Sequence, residues 1–331
     1  MSRVPDRVLV RVPNWIGDAV LSLGALRDVR RNFPSSRLEV LARPWVADLY
    51  GAVPEVDAVR LTAGFREDIA GLRGAFDVAV LLPNSFGAAF QVYAAGIPER
   101  WGYATDGRGP LLTRRPRVPR GLRGWSELYY YRAMLAGVGL EVSASPDLSL
   151  RAPDEWRARG SEILGDEGPW IGVNPGASFG SAKQWPPERY AEAVERVSRE
   201  HGARVAIVGG PGDLRLGERI AATMRVPARI LCGETTLPEL IGVLSRLRLL
   251  LTNDSGPMHL AAAQGVPVVA IFGPTDWRET APVGAASRLV REEVECAPCK
   301  LRECPIDHRC MTRIGVDRVA ATVTELIEET R

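Results

Sequence analysis

The stretch that most narrows what this chain can fold into is residues 250–277, LLTNDSGPMHLAAAQGVPVVAIFGPTDW. Its first apolar run, ending at Thr252, is short enough for a strand buried on both faces of a parallel sheet. Asn253-Asp254-Ser255-Gly256 then supplies capping side chains and a permissive glycine, and Pro257 suits the first turn of a helix. The spacing predicts that helix over 258–264, with Gly265 as its stop, and a second buried strand over 266–272. Backbone N–H groups at such a helix start, with no side chain at Gly256 to obstruct them, form a place for phosphate oxygens. A turn of this kind between two buried strands points to a nucleotide-binding α/β domain.

One such domain does not account for 331 residues. Two domains of roughly 150 residues each are the natural division, and the Pro-flanked segment 146–153 reads as the linker between them. The first half alternates strands (7–12, 37–41, 58–61, 76–82) with helices (19–32, 45–51, 65–72, 125–138). The second repeats the plan with strands at 170–173, 203–208 and 229–231, and with helices at 155–164, 187–201, 213–224, 237–245 and 316–329. That order argues for two doubly wound parallel sheets of the Rossmann-like kind, facing each other across a cleft. Domains are expected at 1–150 and 151–331.

Ligands of such sheets lie beyond the carboxyl ends of the strands. That edge gathers Asp18 after the first strand and Asn84-Ser85 after the fourth. In the second half it gathers the loop NPGASFGSAKQWPP (174–187) and the turn holding Glu234. Neither first turn carries G-x-G-x-x-G, so a dinucleotide cofactor is poorly supported. Lys183, between a Gly/Ser loop and Trp185-Pro186, would place a compact positive charge on phosphate oxygens. Asp254 would either cap the following helix or bond the ligand, and Glu234 would cap a helix or hold a ribose diol. Asp18 suits either a helix start or a base that takes a proton from a hydroxyl. His259 reads as a packed histidine or a ligand contact.

Residues 100–123 carry seven arginines against one acid, Asp106. They form either a solvated loop or a surface for a multiply anionic partner, since guanidinium forks match phosphate and carboxylate oxygens. A net charge of +2 gives no reason to expect nucleic acid as that partner. No apolar run reaches the roughly 18 residues that would cross a bilayer, and the amino terminus does not read as a signal peptide. A cytoplasmic protein is expected. Cys296, Cys299, Cys304 and Cys310, with His308 among them, crowd one loop. They are either a tetrahedral structural metal site or cluster, or a set of reduced or variably oxidised thiols.

Taken together, VPNWIGDAVLS, LLPNSFGAAF with AGIPERWGY, NPGASFGSAKQWPPERYAEA, GETTLPEL and TNDSGPMHLAAA with VVAIFGPT resemble the ADP-heptose:lipopolysaccharide heptosyltransferases of glycosyltransferase family 9 over nearly the whole chain. The resemblance implies a GT-B fold, with acceptor bound by the first domain and ADP-heptose by the second. It implies inverting, metal-independent transfer to the lipopolysaccharide inner core, with the second heptose added to the first. Asp18 becomes the general base and Lys183 the catalytic diphosphate clamp. Ser178, Glu234, Asp254, Ser255, Gly256 and His259 join Lys183 around the donor. Asn84, Ser85, Arg114, Arg115 and Arg117 become candidates for an acceptor of Kdo- and heptose-bearing lipid A. No cofactor is required, a structural zinc at the four cysteines being the one candidate. A monomer in peripheral contact with the cytoplasmic face of the inner membrane is expected. The alternatives are an enzyme adding the first heptose, another two-domain sugar-nucleotide enzyme such as a non-hydrolysing epimerase, or a non-catalytic nucleotide-sugar binder.

Overall fold

The computed structural model describes residues 4–330 apart from Arg123, Asp166, Glu167 and Ala285. Its contacts divide the chain into two units, Met1–Ser149 and Leu150–Arg331. The first runs β1 (Arg7–Arg11), α1 (Ile16–Leu21), α2 (Leu23–Asn32), β2 (Arg37–Ala42), α3 (Pro44–Gly51), β3 (Ala58–Leu61), α4 (Phe65–Leu72), β4 (Val78–Leu81), α5 (Phe86–Ala94), β5 (Glu99–Trp101) and α6 (Glu127–Gly137). Its strands pair in the order β3-β2-β1-β4-β5, all parallel. Central β1 and β4 are apolar apart from Arg7 and Arg11 and, Arg7 excepted, buried throughout, as strands covered on both faces must be.

The second unit runs α7 (Asp154–Leu164), β6 (Trp170–Asn174), α8 (Pro187–His201), β7 (Arg204–Ile207), α9 (Leu214–Thr223), β8 (Ala228–Ile230), α10 (Leu237–Leu244), β9 (Leu247–Asn253), α11 (Gly256–Ala263), β10 (Val268–Phe272), α12 (Trp277–Thr280), β11 (Ser287–Arg291), α13 (Arg309–Thr312) and α14 (Val316–Glu329). Its six parallel strands order as β11-β10-β9-β6-β7-β8. Trp185 and Tyr190, both fully buried and packed edge to face at 5.1 Å, anchor its core against the aliphatic residues of β6, β7 and β9. Helix α7 crosses α10 at two glycines. A Cβ on Gly242 would lie 1.9 Å from the Trp156 carbonyl oxygen, so nothing larger fits that crossing.

The chain's path departs from expectation at several elements. The helix expected over 19–32 starts earlier and breaks in two at Ser22. Its hydroxyl donates back to the Ala19 carbonyl at 2.7 Å, the local competition that bends helices at serine. Helix α5 was not expected at all. Its sequence, FGAAFQVYA, is apolar on every face and so shows no helical period. Strands β5 and β11 were likewise missed, the first being three residues long and inside the arginine-rich segment.

Candidate active site

In the second unit, the carboxyl ends of β6 and β9 are tied together by two buried asparagines. Asn174 Oδ1 accepts from Ser255 Oγ at 2.6 Å and from Thr252 Oγ1 at 3.2 Å, while its amide donates to the Val208 carbonyl at 2.9 Å. Asn253 Oδ1 accepts from Tyr190 Oη at 2.7 Å and from the Trp185 N–H at 3.2 Å, and its amide donates to the Pro175 carbonyl at 2.5 Å. These bonds fix the 253–256 turn from below. No side chain caps α11, so the amides of its first turn are not spent on one.

Asp254 does not cap that helix. Its Oδ2 accepts from Lys183 Nζ at 2.7 Å, from Thr275 Oγ1 at 2.7 Å and from Thr280 Oγ1 at 3.1 Å. The carboxylate and the ammonium are 5% and 11% exposed, so this pair is largely desolvated and Lys183 is held against the start of α11. The loop bearing Lys183 is itself braced. Ala182 donates to the Arg302 carbonyl at 3.0 Å, and its own carbonyl is bonded by His308 Nε2 at 2.6 Å. The Phe179 ring has Lys183 Nζ 5.0 Å and the Arg302 guanidinium 5.4 Å from its centroid.

His259 takes the packed setting. Burial pushes its imidazole down to about 4, with Asp254 working against that shift and Lys183 adding to it, so the ring is neutral near pH 7. Glu234 is exposed in the turn after β8 and is not a cap, because Thr236 and Glu239 form the capping box of α10. Ser178 is exposed at the tip of its loop.

In the first unit the turn after β1 is pinned by a buried guanidinium. Arg11 donates to the carbonyls of Val12 and Leu41 and, at 2.8 Å, to Asn14 Oδ1, and burial lowers it to about 10. Trp45 Nε1 donates to the Asn14 carbonyl at 2.7 Å. Asp18 follows, half-buried in the first turn of α1. Burial raises the phenols of Tyr50 and Tyr131, and the charge of Asp18 raises both further. Ser22 Oγ and Tyr50 Oη lie 3.1 Å apart beneath it.

The acceptor candidates divide. Ser85 spends its hydroxyl on capping α5, accepting from the Ala88 N–H at 3.3 Å. Asn84 is held between Tyr130 Oη, at 2.8 Å, and Arg108 Nη2, at 3.3 Å. Arg108 is fully buried and donates also to the Tyr103 and Pro83 carbonyls. Arg114 lies over the Trp101 ring at 4.6 Å, donates to the Val138 carbonyl at 3.1 Å and pairs with Glu99 at 3.4 Å. It lines a cavity of about 500 Å³ with Asp6, Asp77 and Pro98, residues at the amino ends of the strands. Arg115, Arg117 and Arg120 are exposed, and Arg123 lies outside the described residues. The arginines of 100–123 are therefore not one belt. Arg108 from inside, and the half-buried Arg100 and exposed Arg114 from the surface, hold the segment together through bonds to backbone carbonyls.

The four-cysteine metal site is not formed: among the described residues no three metal-binding side chains are grouped to hold an ion. Cys310 belongs to the core under Gly273, and burial pushes its thiol up to about 11, whereas Cys296 and Cys299 are exposed. His308 is occupied by Ala182, and its own N–H lies 3.2 Å from Cys304 Sγ. The sequence pattern gives no role to Arg11, Tyr50, Tyr131 or Thr275, and it reads Asn174 as loop, Asn253 as a cap, Arg108 as part of a cationic run and His308 as part of a cysteine cluster, whereas all of them support the two edges.

Residues 69–309 match the model of glycosyltransferase family 9 (heptosyltransferase). The chain belongs to glycosyltransferase family 9. It is 30% identical to the lipopolysaccharide heptosyltransferase 2 of Escherichia coli K12, covering 86% of this chain and 88% of that one. It is 28% identical to the lipooligosaccharide heptosyltransferase 2 of Haemophilus ducreyi, over 97% and 99%. A solved structure of the E. coli ADP-heptose lipopolysaccharide heptosyltransferase II superposes with a TM-score of 0.86 at 28% identity, covering 98% and 99%. This family 9 chain is a glycosyltransferase, and its two parallel sheets are those of the GT-B fold.

Proposed function

We propose that this glycosyltransferase moves a heptose from ADP-heptose to the inner core of lipopolysaccharide, adding the second heptose to the first with inversion at the anomeric carbon. The observation that carries the reading is the Lys183–Asp254 pair held at the uncapped start of α11, in a chain similar end to end to heptosyltransferases of this type. The second unit binds the donor. Lys183 and the amides of Ser255-Gly256 receive the charge that grows on the departing diphosphate, and preorganised donors of this kind contribute the largest share of many rate enhancements. An ammonium has three donors, so bonding Asp254 leaves capacity for a phosphate oxygen. Glu234 and Ser178, exposed on the same edge, contact the nucleoside and the sugar, while His259 supports the pocket from beneath.

The first unit binds the acceptor. Asp18 removes the proton of the attacking heptose hydroxyl, that oxygen bonds to the anomeric carbon, and ADP departs from the opposite face. Arg115 and Arg117 meet phosphate and Kdo carboxylate groups of the acceptor, with Asn84 closer to the reacting hydroxyl. Arg114 and Ser85 have structural tasks instead. The acceptor is lipid-linked, which places the enzyme, as a monomer, at the cytoplasmic face of the inner membrane.

The test is to supply ADP-heptose with lipid-linked inner cores bearing zero, one or two heptoses. Product with the one-heptose core alone is expected; product with the zero-heptose core would make this the enzyme that adds the first heptose. Asp18→Ala should bind ADP-heptose normally and transfer nothing. Substantial transfer by that variant would remove Asp18 from the mechanism.

A further inference from the structure

Helix α5 has apolar residues on its outer face as well as its inner one. Ala88, Ala89 and Val92 pack into the core, while Phe86, Phe90 and Tyr93, at the i, i+4, i+7 spacing of a single helical stripe, point outward at 49%, 37% and 49% exposure. Phe65, at the start of α4, adds a fourth ring at 46% exposure. It stacks on Phe90 at 5.7 Å, and Phe90 meets Phe86 at 6.3 Å and Tyr93 at 6.4 Å. The one polar residue of the helix, Gln91, is bonded inward to Asp68 at 3.0 Å and locks α5 to α4 beneath the ridge. A helix apolar all round is ordinarily covered.

We infer that this ridge docks the enzyme on an anionic phospholipid bilayer. The inference rests on the reading that the acceptor is anchored in lipid. Three observations favour a bilayer over a second protein. Full aromatic side chains present about 150–250 Å² each, so these exposures leave roughly 350 Å² uncovered, well short of the ~800 Å² per partner that a stable interface buries. The surrounding charge is positive: Arg66 of α4 and Arg73 directly after it are exposed, Arg100 lies 5.4 Å from the Tyr93 ring, and Glu67 is the exposed acid of α4. Residues 1–149 as a whole carry nineteen arginines, no lysine and fifteen acids. The carboxyl edge of the same sheet also exposes Trp15 after β1 and Trp45 after β2, at 65% and 57%. Aromatic rings beside arginines suit the headgroup layer, where the ring body enters the acyl boundary and the guanidinium meets phosphate. Because Phe86 directly follows Asn84-Ser85, docking here would carry the Asp18 edge to the membrane surface, where a lipid-linked hydroxyl is presented.

The experiment uses the full chain, without donor or acceptor, in flotation with vesicles of two parts phosphatidylethanolamine to one part phosphatidylglycerol, against vesicles of phosphatidylcholine. The wild-type chain should float with the anionic vesicles and much less with the neutral ones, and salt should weaken the binding. Phe90→Ser with Tyr93→Ser should lower the partition coefficient by at least about tenfold, since interfacial affinity scales with buried apolar area, and Tyr93→Trp should restore part of it. The double variant should keep its unfolding temperature and its transfer rate on a delipidated soluble acceptor, while losing rate on acceptor embedded in vesicles. Equal flotation of wild type and double variant, or none by either, would overturn the inference. So would a concentration-dependent dimer in sedimentation that the double variant abolishes, since the ridge would then cover a second copy. Loss of transfer on soluble acceptor by the wild type would count against the heptosyltransferase reading alone, because vesicle binding is measured without it.

Discussion

At the carboxyl edge of the second sheet the polar side chains bind one another before any ligand arrives. Asn174, Thr252 and Ser255 form one chain of bonds and Lys183, Asp254, Thr275 and Thr280 another, each spanning strands or loops far apart in sequence. The first unit's edge is supported differently. Its polar bonds run underneath, from Arg11 to the 12–14 turn and from Arg108 to the 83–84 turn, while the upper side exposes Trp15, Trp45 and Phe86. The difference matches two kinds of partner. A diphosphate is small and densely charged, and a fixed constellation gains most by not reorganising as charge develops. A lipid-linked oligosaccharide is large and variable, and is better met by an open surface with one well-positioned base.

The largest effect should come from breaking the first edge at Asp18, the base proposed for it. Asp18→Asn should lower turnover by about 10²–10⁴-fold, the range for losing a positioned base, and leave ADP affinity by calorimetry unchanged. On the second edge, Lys183→Met should cost about 10²-fold in turnover, as for one lost electrostatic donor, and should also weaken ADP binding. The comparison predicts that split. If Asp18→Asn weakened ADP binding as much as Lys183→Met does, the two edges would not divide the work as described.

Much of this division is legible in the residues themselves. The buried strands, the phosphate-type turn at 253–256 and the position of Lys183 in a Gly/Ser loop all follow from local patterns, because short apolar runs and glycine placement report backbone constraints directly. What supports them does not. Nothing local marks Asn174 and Asn253 as the bonds that join β6 to β9, since each acts on partners tens of residues away. Arg108 reads as a member of a cationic run because composition counts charges and cannot tell a guanidinium buried against carbonyls from one in water. The cysteine cluster misleads for the same reason. Proximity in sequence puts four thiols within reach of one ion, yet the fold sends Cys310 into the core and leaves Cys296 and Cys299 outside.

The preassembled edge should also reveal itself in acid. His259 has a folded value of about 4 against an ordinary 6.5. As pH falls through about 6.5 the unfolded chain takes up this proton while the folded chain does not, so stability from this group is complete above that point and drains away until about pH 4. Between pH 7 and pH 5 the loss should be about 2 kcal/mol. Urea unfolding at the two pH values measures it, and His259→Gln should show a pH difference smaller by that amount. A variant with the wild-type difference would mean that the imidazole is not held neutral beside Lys183.

The smallest effect sharpens the comparison most, because it reaches the second edge without touching a ligand-facing group. Gly180 packs so closely on the 302 backbone that an added Cβ would lie 2.2 Å from the Arg302 carbonyl oxygen, the acceptor of the Ala182 N–H. Gly180→Ala must push that oxygen away, releasing the brace at Ala182, the residue directly before Lys183. Preorganisation then falls while every charged group remains, and ADP affinity should drop about tenfold, some 1.4 kcal/mol. His308→Ala removes the other strut, at the Ala182 carbonyl, and should act in the same direction. Because both changes act through one loop, the double variant should cost less than the sum of the singles. Full additivity would show two independent struts; if neither single variant weakened ADP binding, Lys183 would be positioned by Asp254 alone and the cysteine-bearing loop would have no part in forming the donor edge.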